Sequence, residues 1–376
     1  MSTDEMTAVS TRVPFLNLAA QQAEVSDEVL PRWRELFETA QFVGGSEVSS
    51  FEAEYARYIG VEHCVGVANG TDALELAYRA VGVGPGDEVI IPVNTFVATA
   101  EAATRIGAVP VFVDCDEHLL LDVDAVEAAI TARTRAIVPV HLYGQVADVA
   151  ALRVVARRHD LAIVEDAAQA QGASSQAGRA GALGRAAATS FYPSKNLGAA
   201  GDAGAVLTDD PELAAYVRSF AAHGGASRYV HDVPGMNSRL DAVQAVLLRA
   251  KLLRLDAWTA ARTEAAGRYG RLLSGMSGVQ APTSLPGNDD VWHLYVVQVD
   301  DRDRVSAEMD AAGVDNVIHY PHPLHLTPAY APLGYRRGQF PVAEAAAKRI
   351  LSLPLYPHIT APQQERVAEA LHEAVR

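Results

Sequence analysis

Asp166 and Lys195 are the two residues of this chain whose type and setting most need a chemical explanation. Asp166 follows the apolar residues 161–164, where a buried strand would leave its hydrophobic layer. Lys195 lies in the turn-like segment Tyr-Pro-Ser-Lys-Asn-Leu-Gly, between Pro193 and Gly198. A carboxylate at a strand end and a lysine on a tight turn are what a Schiff-base cofactor requires, because the lysine carries the aldehyde and the acid keeps a ring nitrogen protonated.

Each of these two residues has an alternative interpretation. Lys195 could be an ordinary surface lysine, although its neighbours are small or apolar (Phe191, Ala199 and Gly201 among them). Burial there would lower the pKa of the ammonium from about 10.4 and free the amine to attack a carbonyl. Residue type alone leaves both interpretations of Lys195 open.

The alternative for Asp166 is a metal site shared with the adjacent Glu165. Side chains alternate along a strand, so the two carboxylates should point to opposite faces, and no third acidic ligand lies nearby in the sequence. A ring nitrogen needs only one carboxylate. The sequence therefore favours Asp166 acting by itself.

Further polar and aromatic residues follow other predicted strands. Gly70 and Thr71 open a helix, where free backbone N–H groups and a hydroxyl suit a phosphate, although such residues usually serve only as a helix cap. Phe96 could stack on a flat heterocycle, with a place in the core as the commoner alternative. His141 and Gln169 also lie at strand ends. Ligands of parallel α/β sheets bind at this edge, so these positions predict a site there.

The elements that position these residues alternate between short apolar strands and amphipathic helices. Nearly all-apolar strands separated by single helices are typical of a largely parallel sheet covered on both faces. The predicted strands are 63–68, 88–92, 109–113, 136–140, 161–164, 188–192 and 204–207. The last two are joined by a loop too short for a helical crossover, which predicts an antiparallel pair.

Downstream of this sheet, a long helix is predicted over residues 240–268, followed by a Pro/Gly/Ser/Asn/Asp-rich hinge over 275–290. Strands 292–299 and 314–319 and helices 305–312, 341–351 and 363–375 then form a small α+β unit. The predicted organisation is a flexible N-terminal arm (1–12), a large domain (13–255) and a small C-terminal domain (256–376). The long helix would link the two domains.

Composition excludes several classes of protein. Of 376 residues, 49% are hydrophobic and 20% charged, as in a globular protein, and the net charge of −15 argues against a nucleic-acid binder. Cys64 and Cys115 are the two cysteines, both in apolar runs, which favours free thiols and a reducing cytoplasm. No stretch approaches the roughly 18 apolar residues of a membrane span. The acidic N-terminus does not resemble a signal peptide.

Seven motifs, in order from about residue 14 to the C-terminus, resemble the DegT/DnrJ/EryC1/StrS family of pyridoxal-phosphate sugar aminotransferases. They read NGTDAL, NTFVAT, PVHLYGQ, VEDAAQA, SFYPSKNLG, GDAGA and MNSRLD. The resemblance implies an α/β fold of the aspartate aminotransferase (type I) kind, with a large, mostly parallel sheet covered by helices on both faces and a small C-terminal α+β domain. It also implies homodimers with shared active sites.

The resemblance implies a role for each matching position. Lys195 would hold the cofactor as a Schiff base and then move a proton between cofactor and substrate carbon. Asp166 would pair with the pyridine nitrogen, Gln169 would reach the phenolic oxygen, and Phe96 would cover the ring. The phosphate would be bound by Gly70, Thr71 and Ser190, together with Asn237 from the partner subunit. For the substrate, the family implies Tyr320, with His322 and His325 as looser candidates. The substrate's diphosphate needs positive charge in an acidic protein, which makes Arg228 and Arg239 candidates to bind it, with a structural role for Arg239, bracing Asp241 or the loop beside Asn237, as the favoured alternative.

The activity that this resemblance implies is amino transfer from L-glutamate (or glutamine) to a nucleotide-linked keto-6-deoxyhexose, with pyridoxamine phosphate as the intermediate form of the cofactor. A branch of the family with histidine in place of the lysine performs deoxygenation, so lysine at 195 supports transamination. The motifs look most like enzymes acting on dTDP-sugars in antibiotic pathways, with the 3-keto sugar favoured over the 4-keto sugar. An aminotransferase for a keto-cyclitol and a non-catalytic regulatory protein are the alternatives.

Overall fold

The computed structural model describes residues 12–225 and 229–376. Nearly all of the predicted N-terminal arm, and Arg228, therefore lie outside the described residues. A seven-stranded sheet dominates the fold, and a separate three-stranded sheet lies in the C-terminal part. Within the described residues, no helix combines the length and the apolar character that crossing a membrane needs.

The large sheet has the strand order β1-β9-β8-β5-β4-β2-β3. Only β9 runs opposite to its neighbours, β1 and β8. The predicted, largely parallel sheet and the predicted antiparallel pair (β8 with β9) are thus confirmed. The described strands are β1 (His63–Val67), β2 (Glu88–Pro92), β3 (Val109–Val113), β4 (Thr134–Ile137), β5 (Ala162–Asp166), β6 (Ser174–Ser175), β7 (Gly178–Arg179), β8 (Ala186–Ser190), β9 (Gly204–Thr208), β10 (Val279–Gln280), β11 (Tyr295–Val299) and β12 (Ile350–Leu353).

Helices cover both faces of the large sheet because its central strands are apolar on both sides, and every residue of β2 is buried. The described helices are α1 (Leu18–Ala23), α2 (Ser26–Thr39), α3 (Gly45–Ile59), α4 (Gly70–Ala80), α5 (Val97–Arg105), α6 (Val123–Ala129), α7 (Val149–His159), α8 (Pro211–Ala221), α9 (Ala242–Leu252), α10 (Leu255–Leu272), α11 (Arg302–Ala311), α12 (Pro341–Ala346) and α13 (Ala361–Ala374).

The predicted long helix over 240–268 is wrong, because the chain breaks into α9 and α10. At the break the Arg254 N–H bonds to the Lys251 carbonyl in a tight turn, Leu253 is exposed and Leu255 is fully buried. The two helices pack on different partners: α9 on α2 and α3, and α10 on α13. The apolar pattern continues through the break and therefore predicted one helix, but these tertiary contacts turn the chain there.

Two further predictions in the C-terminal part are wrong. The helix expected over 341–351 ends at Ala346, and residues Ile350–Leu353 form strand β12 against β11. A short apolar run after alanines does not distinguish helix from strand by periodicity, and pairing with β11 decides. Residues 314–319 make only isolated bridges, Val314 with Val13 and Val317 with Ser352, instead of the expected strand.

The cores do not divide strictly at residue 256. Val13, near the start of the described chain, packs with Tyr269, Val297 and Leu371 in the C-terminal core. Conversely, Leu294 and Tyr330 lie in the same apolar cluster as strand β2 of the large sheet. The division into domains at residues 255 and 256 stays a prediction, and the two parts share a packed boundary.

Candidate active site

Asp166 is the last residue of β5 and is nearly buried, with 6% of its surface exposed. Its Oδ2 accepts a hydrogen bond from the Thr99 hydroxyl at 2.7 Å, and its Oδ1 accepts one from the Ala168 N–H at 3.2 Å. The Thr95 hydroxyl lies 3.0 Å from that of Thr99. One edge of the carboxylate is thus held by hydroxyl and backbone donors, which orients it within a buried site.

Glu165 points the other way, as strand alternation predicts, and is fully buried. Its carboxylate accepts from His141 Nε2 at 2.8 Å and from three backbone N–H groups, those of Gly181 (2.8 Å), Leu183 (2.6 Å) and Gly184 (2.7 Å). In the described part of the chain, no group of three or more His, Cys, Asp or Glu side chains could hold a metal ion. The paired-carboxylate metal interpretation therefore finds no ligand set there.

Lys195 lies on a tight turn that leaves β8. Its N–H bonds to the Tyr192 carbonyl at 2.8 Å, and a Cβ on Gly198 would meet the Pro193 carbonyl oxygen at only 2.3 Å. Glycine is therefore required at 198 for the turn to close. The Gly198 carbonyl accepts from the buried ammonium of Lys251, on α9, at 2.6 Å. The turn is consequently held from its C-terminal side by a helix that is distant in sequence.

The residue after Lys195 connects the same turn to the C-terminal part of the chain. Asn196 is buried, its Nδ2 donates to the Val291 carbonyl at 3.0 Å, and its Oδ1 lies 3.1 Å from His293 Nδ1. Arg262, on α10, donates to the carbonyls of Trp292 (3.2 Å) and Leu355 (3.0 Å). These bonds tie the lysine turn to the segment that crosses between the two parts of the protein.

Burial lowers the pKa of Lys195 from 10.5 to about 8, while the negative charge of Asp166 acts in the opposite direction. The direction is the one predicted from the apolar neighbours of the lysine. Because the charge of Asp166 acts on Lys195, the two groups lie within electrostatic reach of one another. A lysine with this pKa is partly an unprotonated amine near neutral pH, as a nucleophile must be.

We expect Lys195 of the cofactor-free protein to react with a small acylating reagent, such as acetic anhydride, with a pH dependence centred at about 8. Its amine is the reactive form, so labelling should rise through that pH and level off above it, where an ordinary lysine would still be largely protonated. Peptide mass spectrometry measures the labelling, with the exposed Lys348 as the reference within the same sample. A Lys195 profile that rose no earlier than that of Lys348 would show that burial does not act as argued.

The predicted phosphate-binding residues come together beside the start of α4. Asn69 caps this helix by accepting from the Asp72 N–H at 2.8 Å. A Cβ on Gly70 would lie 2.7 Å from the Ser190 Cβ, so Gly70 and Ser190 touch only because residue 70 is glycine. The first N–H groups of a helix lack intrahelical acceptors, and the helix dipole favours an anion there. Gly70, Thr71 and Ser190 form a cradle that suits a phosphate.

Phe96 and Gln169 both contact Tyr320, a residue of the C-terminal part. Phe96 is 52% exposed, so the alternative that placed it in the core is wrong, and its ring centroid lies 5.6 Å from that of Tyr320. Gln169 is nearly buried, and its Nε2 donates to the Tyr320 hydroxyl at 3.0 Å. An exposed aromatic ring and an amide thus meet at Tyr320, on which the charge of Asp166 also acts.

The two histidines predicted to contact the substrate lie in different surroundings. His322 is exposed and lines a cleft with Asn94, Tyr143 and Tyr320. His325 is not brought to that cleft: its side chain is buried, with Nε2 on Glu344 at 3.0 Å and its ring against Phe340. His325 packs beneath α12 instead, so the prediction that it contacts the substrate is wrong.

The loop after α8 carries the other predicted residues. Asn237 is exposed and accepts from Arg239 Nε at 3.2 Å, so Arg239 braces this loop. Its neighbour Ser238 is buried and donates to Asp72 Oδ2 at 2.8 Å, which fixes the loop beside the start of α4. Arg228 lies outside the described residues.

Sequence reasoning missed several residues that hold the site together, chiefly Thr99, Tyr143, Asn196 and Lys251. Thr99, Tyr143 and Asn196 did carry a signal, since all three stand within motifs that the family resemblance rests on. Lys251 interrupts an apolar helix face, which is a weak sign of a buried role. Tyr143 had no sequence signal of its left-handed backbone, with φ at +60°.

Pyridoxal phosphate fits this arrangement. The cradle at Gly70 and Ser190 offers anion-binding N–H groups, Asp166 offers a buried carboxylate for a ring nitrogen, and Phe96 offers an exposed aromatic face. Lys195 supplies an amine of lowered pKa, on which the charge of the same carboxylate acts. The four features are the ones that a phosphorylated pyridine aldehyde needs.

Comparisons with known proteins agree with this site. The model of the DegT/DnrJ/EryC1/StrS aminotransferase family matches residues 24–372. The chain is 47% identical over 367 residues to a dTDP-3-amino-3,4,6-trideoxy-alpha-D-glucose transaminase of Streptomyces venezuelae, which covers 97% of each chain.

Solved structures agree equally well. The crystal structure of S. venezuelae DesV in complex with a ketimine intermediate matches with a TM-score of 0.95 at 47% identity, covering 97% of this chain and 99% of that one. NtdA from Bacillus subtilis, with bound cofactor PMP, matches with a TM-score of 0.90 at 33% identity, covering 97% and 85%. The chain belongs to the DegT/DnrJ/EryC1/StrS family and is a pyridoxal-phosphate-dependent aminotransferase of fold type I.

Proposed function

We propose that this enzyme transfers the amino group of L-glutamate to a nucleotide-linked keto-6-deoxyhexose, with a dTDP-3-keto sugar favoured over a dTDP-4-keto sugar. The observation that carries the proposal is the 47% identity, over 97% of the chain, to a transaminase named for a dTDP-3-amino sugar. Its place would be amino-sugar biosynthesis for a secondary metabolite such as an antibiotic. Cys64 and Cys115, which are free and buried, support a reducing cytoplasm.

Lys195 and Asp166 would have different roles in the amino transfer. Pyridoxal phosphate supplies an aldehyde that carries the amino group and a ring that accepts electrons. Lys195 Nζ would remove and return the proton at the substrate carbon, for which its lowered pKa suits it. Asp166 would hold a proton on the ring nitrogen through the carboxylate that Thr99 and Ala168 orient.

The places of the remaining site residues suggest which part of the cofactor each would contact. Gly70, Thr71 and Ser190 would bind the phosphate, and Phe96 would cover the ring with its exposed face. Gln169 would donate to the phenolic oxygen with the Nε2 hydrogen that Tyr320 does not use. The cleft beside Tyr320 and His322 would receive the sugar.

The proposed assembly is a homodimer in which Asn237 reaches the partner's phosphate site. Exposed apolar side chains support an interface: Phe37 is 70% exposed and makes an edge contact with Phe42 at 5.5 Å. Tyr229 and Val230, 80% and 55% exposed, lie on the same loop as Asn237. Arg228 and Arg239 of this loop would bring positive charge to the substrate's diphosphate in a protein whose net charge is −15.

A substrate panel tests the proposal. Purified enzyme would be mixed with dTDP-3-keto and dTDP-4-keto 6-deoxyhexoses and with keto-cyclitols, each with L-glutamate or L-glutamine as donor. We expect 2-oxoglutarate to form with glutamate and a dTDP-keto sugar, and NMR of the product locates the new amine at C3 or C4. Turnover of a keto-cyclitol but of no nucleotide sugar would contradict the proposal, and no turnover of any acceptor would favour a regulatory protein.

A further inference from the structure

Three groups beside the proposed cofactor form one hydrogen-bonded chain. The backbone N–H of Tyr143 bonds to Gln169 Oε1 at 2.7 Å. Gln169 Nε2 bonds in turn to the Tyr320 hydroxyl at 3.0 Å. Gln169 is nearly buried, so water does not compete freely for its amide. The chain runs from the large sheet to the C-terminal part of the protein.

The direction of every bond in this chain follows from its first member. A backbone N–H can only donate, so the Gln169 atom that faces it must be the oxygen, and the amide nitrogen must face Tyr320. An amide nitrogen has no lone pair to offer, so the Tyr320 hydroxyl oxygen is the acceptor. The phenolic proton of Tyr320 therefore takes part in neither of these two hydrogen bonds. Within the described part of the chain, it makes no hydrogen bond to an acceptor.

The backbone around Tyr143 keeps the first bond in place. Tyr143 has φ at +60° and ψ at 6°, a left-handed conformation that is uncommon for a residue other than glycine. Its carbonyl accepts from the Leu294 N–H at 3.2 Å, and its phenol donates to the His319 carbonyl. Strained conformations of this kind persist only where the surroundings hold them and are frequent at functional sites. Two contacts from the C-terminal part therefore hold the Tyr143 backbone whose N–H bonds to Gln169.

Tyr320 stays protonated at neutral pH. Burial raises the pKa of its phenol well above the ordinary value of 10, and the negative charge of Asp166 raises it further. Its ring lies beside that of Phe96, and Tyr320 lines the cleft together with His322 and Asn94. The free phenolic proton is therefore available to a molecule in this cleft.

We propose that Tyr143 and Gln169 are positioning residues that fix Tyr320 as a hydrogen-bond donor to an oxygen of the sugar in the cleft. The inference rests on the proposed function, which supplies a sugar substrate. A phenolic proton of Tyr320 that points into the cleft selects for ligands that present a hydroxyl or keto oxygen at this point. A group that can only donate, such as an ammonium, would meet the phenolic proton and be disfavoured.

The test is calorimetric binding of dTDP-glucose, a stable nucleotide sugar, to the enzyme in its pyridoxamine phosphate form. Tyr320→Phe should weaken binding about 3- to 10-fold, the worth of one neutral hydrogen bond. Gln169→Glu should weaken it similarly, because a carboxylate would accept the Tyr320 proton and withdraw it from the sugar. Gln169→Met leaves that proton free but removes the bond that orients the Tyr320 hydroxyl, so it should weaken binding, though by less than Gln169→Glu does.

A double-variant comparison separates this effect from simple charge repulsion. If Gln169→Glu acts by capturing the Tyr320 proton, it should weaken binding no further in the Tyr320→Phe background. Fully additive effects would overturn the inference, as would wild-type affinity in Tyr320→Phe. Tyr143→Phe is the matched control, since it removes the phenol but retains the backbone N–H, and it should weaken binding less than Tyr320→Phe.

The outcomes also distinguish the inference from the proposed function. If wild-type enzyme binds the nucleotide sugar and aminates keto sugars while Tyr320→Phe binds equally well, only the inference fails. If wild-type enzyme binds no dTDP-, UDP- or GDP-linked sugar, the proposed function and the inference that rests on it both fail.

Discussion

Lys195→Ala should abolish amino transfer, with a loss of at least about 10²- to 10⁴-fold, the usual contribution of a positioned general acid–base. Burial brings the pKa of Lys195 to about 8, so its amine can exchange a proton near neutral pH, and alanine has no group that could do so. The measurement is 2-oxoglutarate formation from L-glutamate with a dTDP-keto sugar.

Lys195→Ala should still bind pyridoxamine phosphate, because Gly70, Ser190 and Asp166 are untouched by the change. Equilibrium dialysis of the cofactor checks this, and circular dichroism checks the fold. Lys195→Arg is the matched control: it retains the positive charge but has no amine to exchange protons near neutral pH, and it should be nearly as inactive. Near-normal turnover in either variant would place the catalytic amine elsewhere.

Glu165→Gln should destabilise the protein by roughly 3–5 kcal/mol, the range for removing one member of a buried charged hydrogen-bond group. The Glu165 carboxylate is fully buried and accepts from His141 Nε2 and from three backbone N–H groups. A glutamine would turn an NH₂ group towards these donors and leave at least one of them unpaired. Urea unfolding of the cofactor-free protein measures the change in the free energy of unfolding.

The effect of Glu165→Gln should reach the active site, because Glu165 immediately precedes Asp166. His141, which holds the Glu165 side chain, also donates its own N–H to the Asp166 carbonyl at 3.0 Å. Glu369→Gln, the same substitution at an exposed site on α13, is the control and should change the free energy of unfolding by less than about 0.5 kcal/mol. Equal effects of the two substitutions would mean that the buried bonds around Glu165 contribute little.

Local pattern predicted much of the large sheet and the chemistry at its edge. The strand period of two placed Glu165 and Asp166 on opposite faces, and the structure puts one in the core and the other at the site. Apolar runs predicted β2 and β3 at their observed bounds. The turn at Lys195 followed from Pro193 and Gly198. These inferences rest on neighbours in the sequence, which is why they succeeded.

The C-terminal part was harder to predict because contacts between distant residues decide it. Strand β12 forms because β11 offers a pairing edge, and α9 and α10 separate because they pack on different helices. His325 stands in a polar, loop-like segment, which favoured a substrate contact, but its side chain is packed against Glu344 and Phe340. None of these partners is adjacent in sequence.

The sequence by itself determined the fold class and the family and predicted which lysine reacts, since motifs and periodicity are local properties. Only the tertiary structure decided how that lysine is held. Lys251, and the Val291 carbonyl to which Asn196 donates, anchor its turn from elements far along the chain, and burial, a property of the assembled fold, sets its pKa. The direction of the Tyr143–Gln169–Tyr320 chain was likewise invisible in the sequence, because it depends on a backbone N–H facing a side chain 26 residues away.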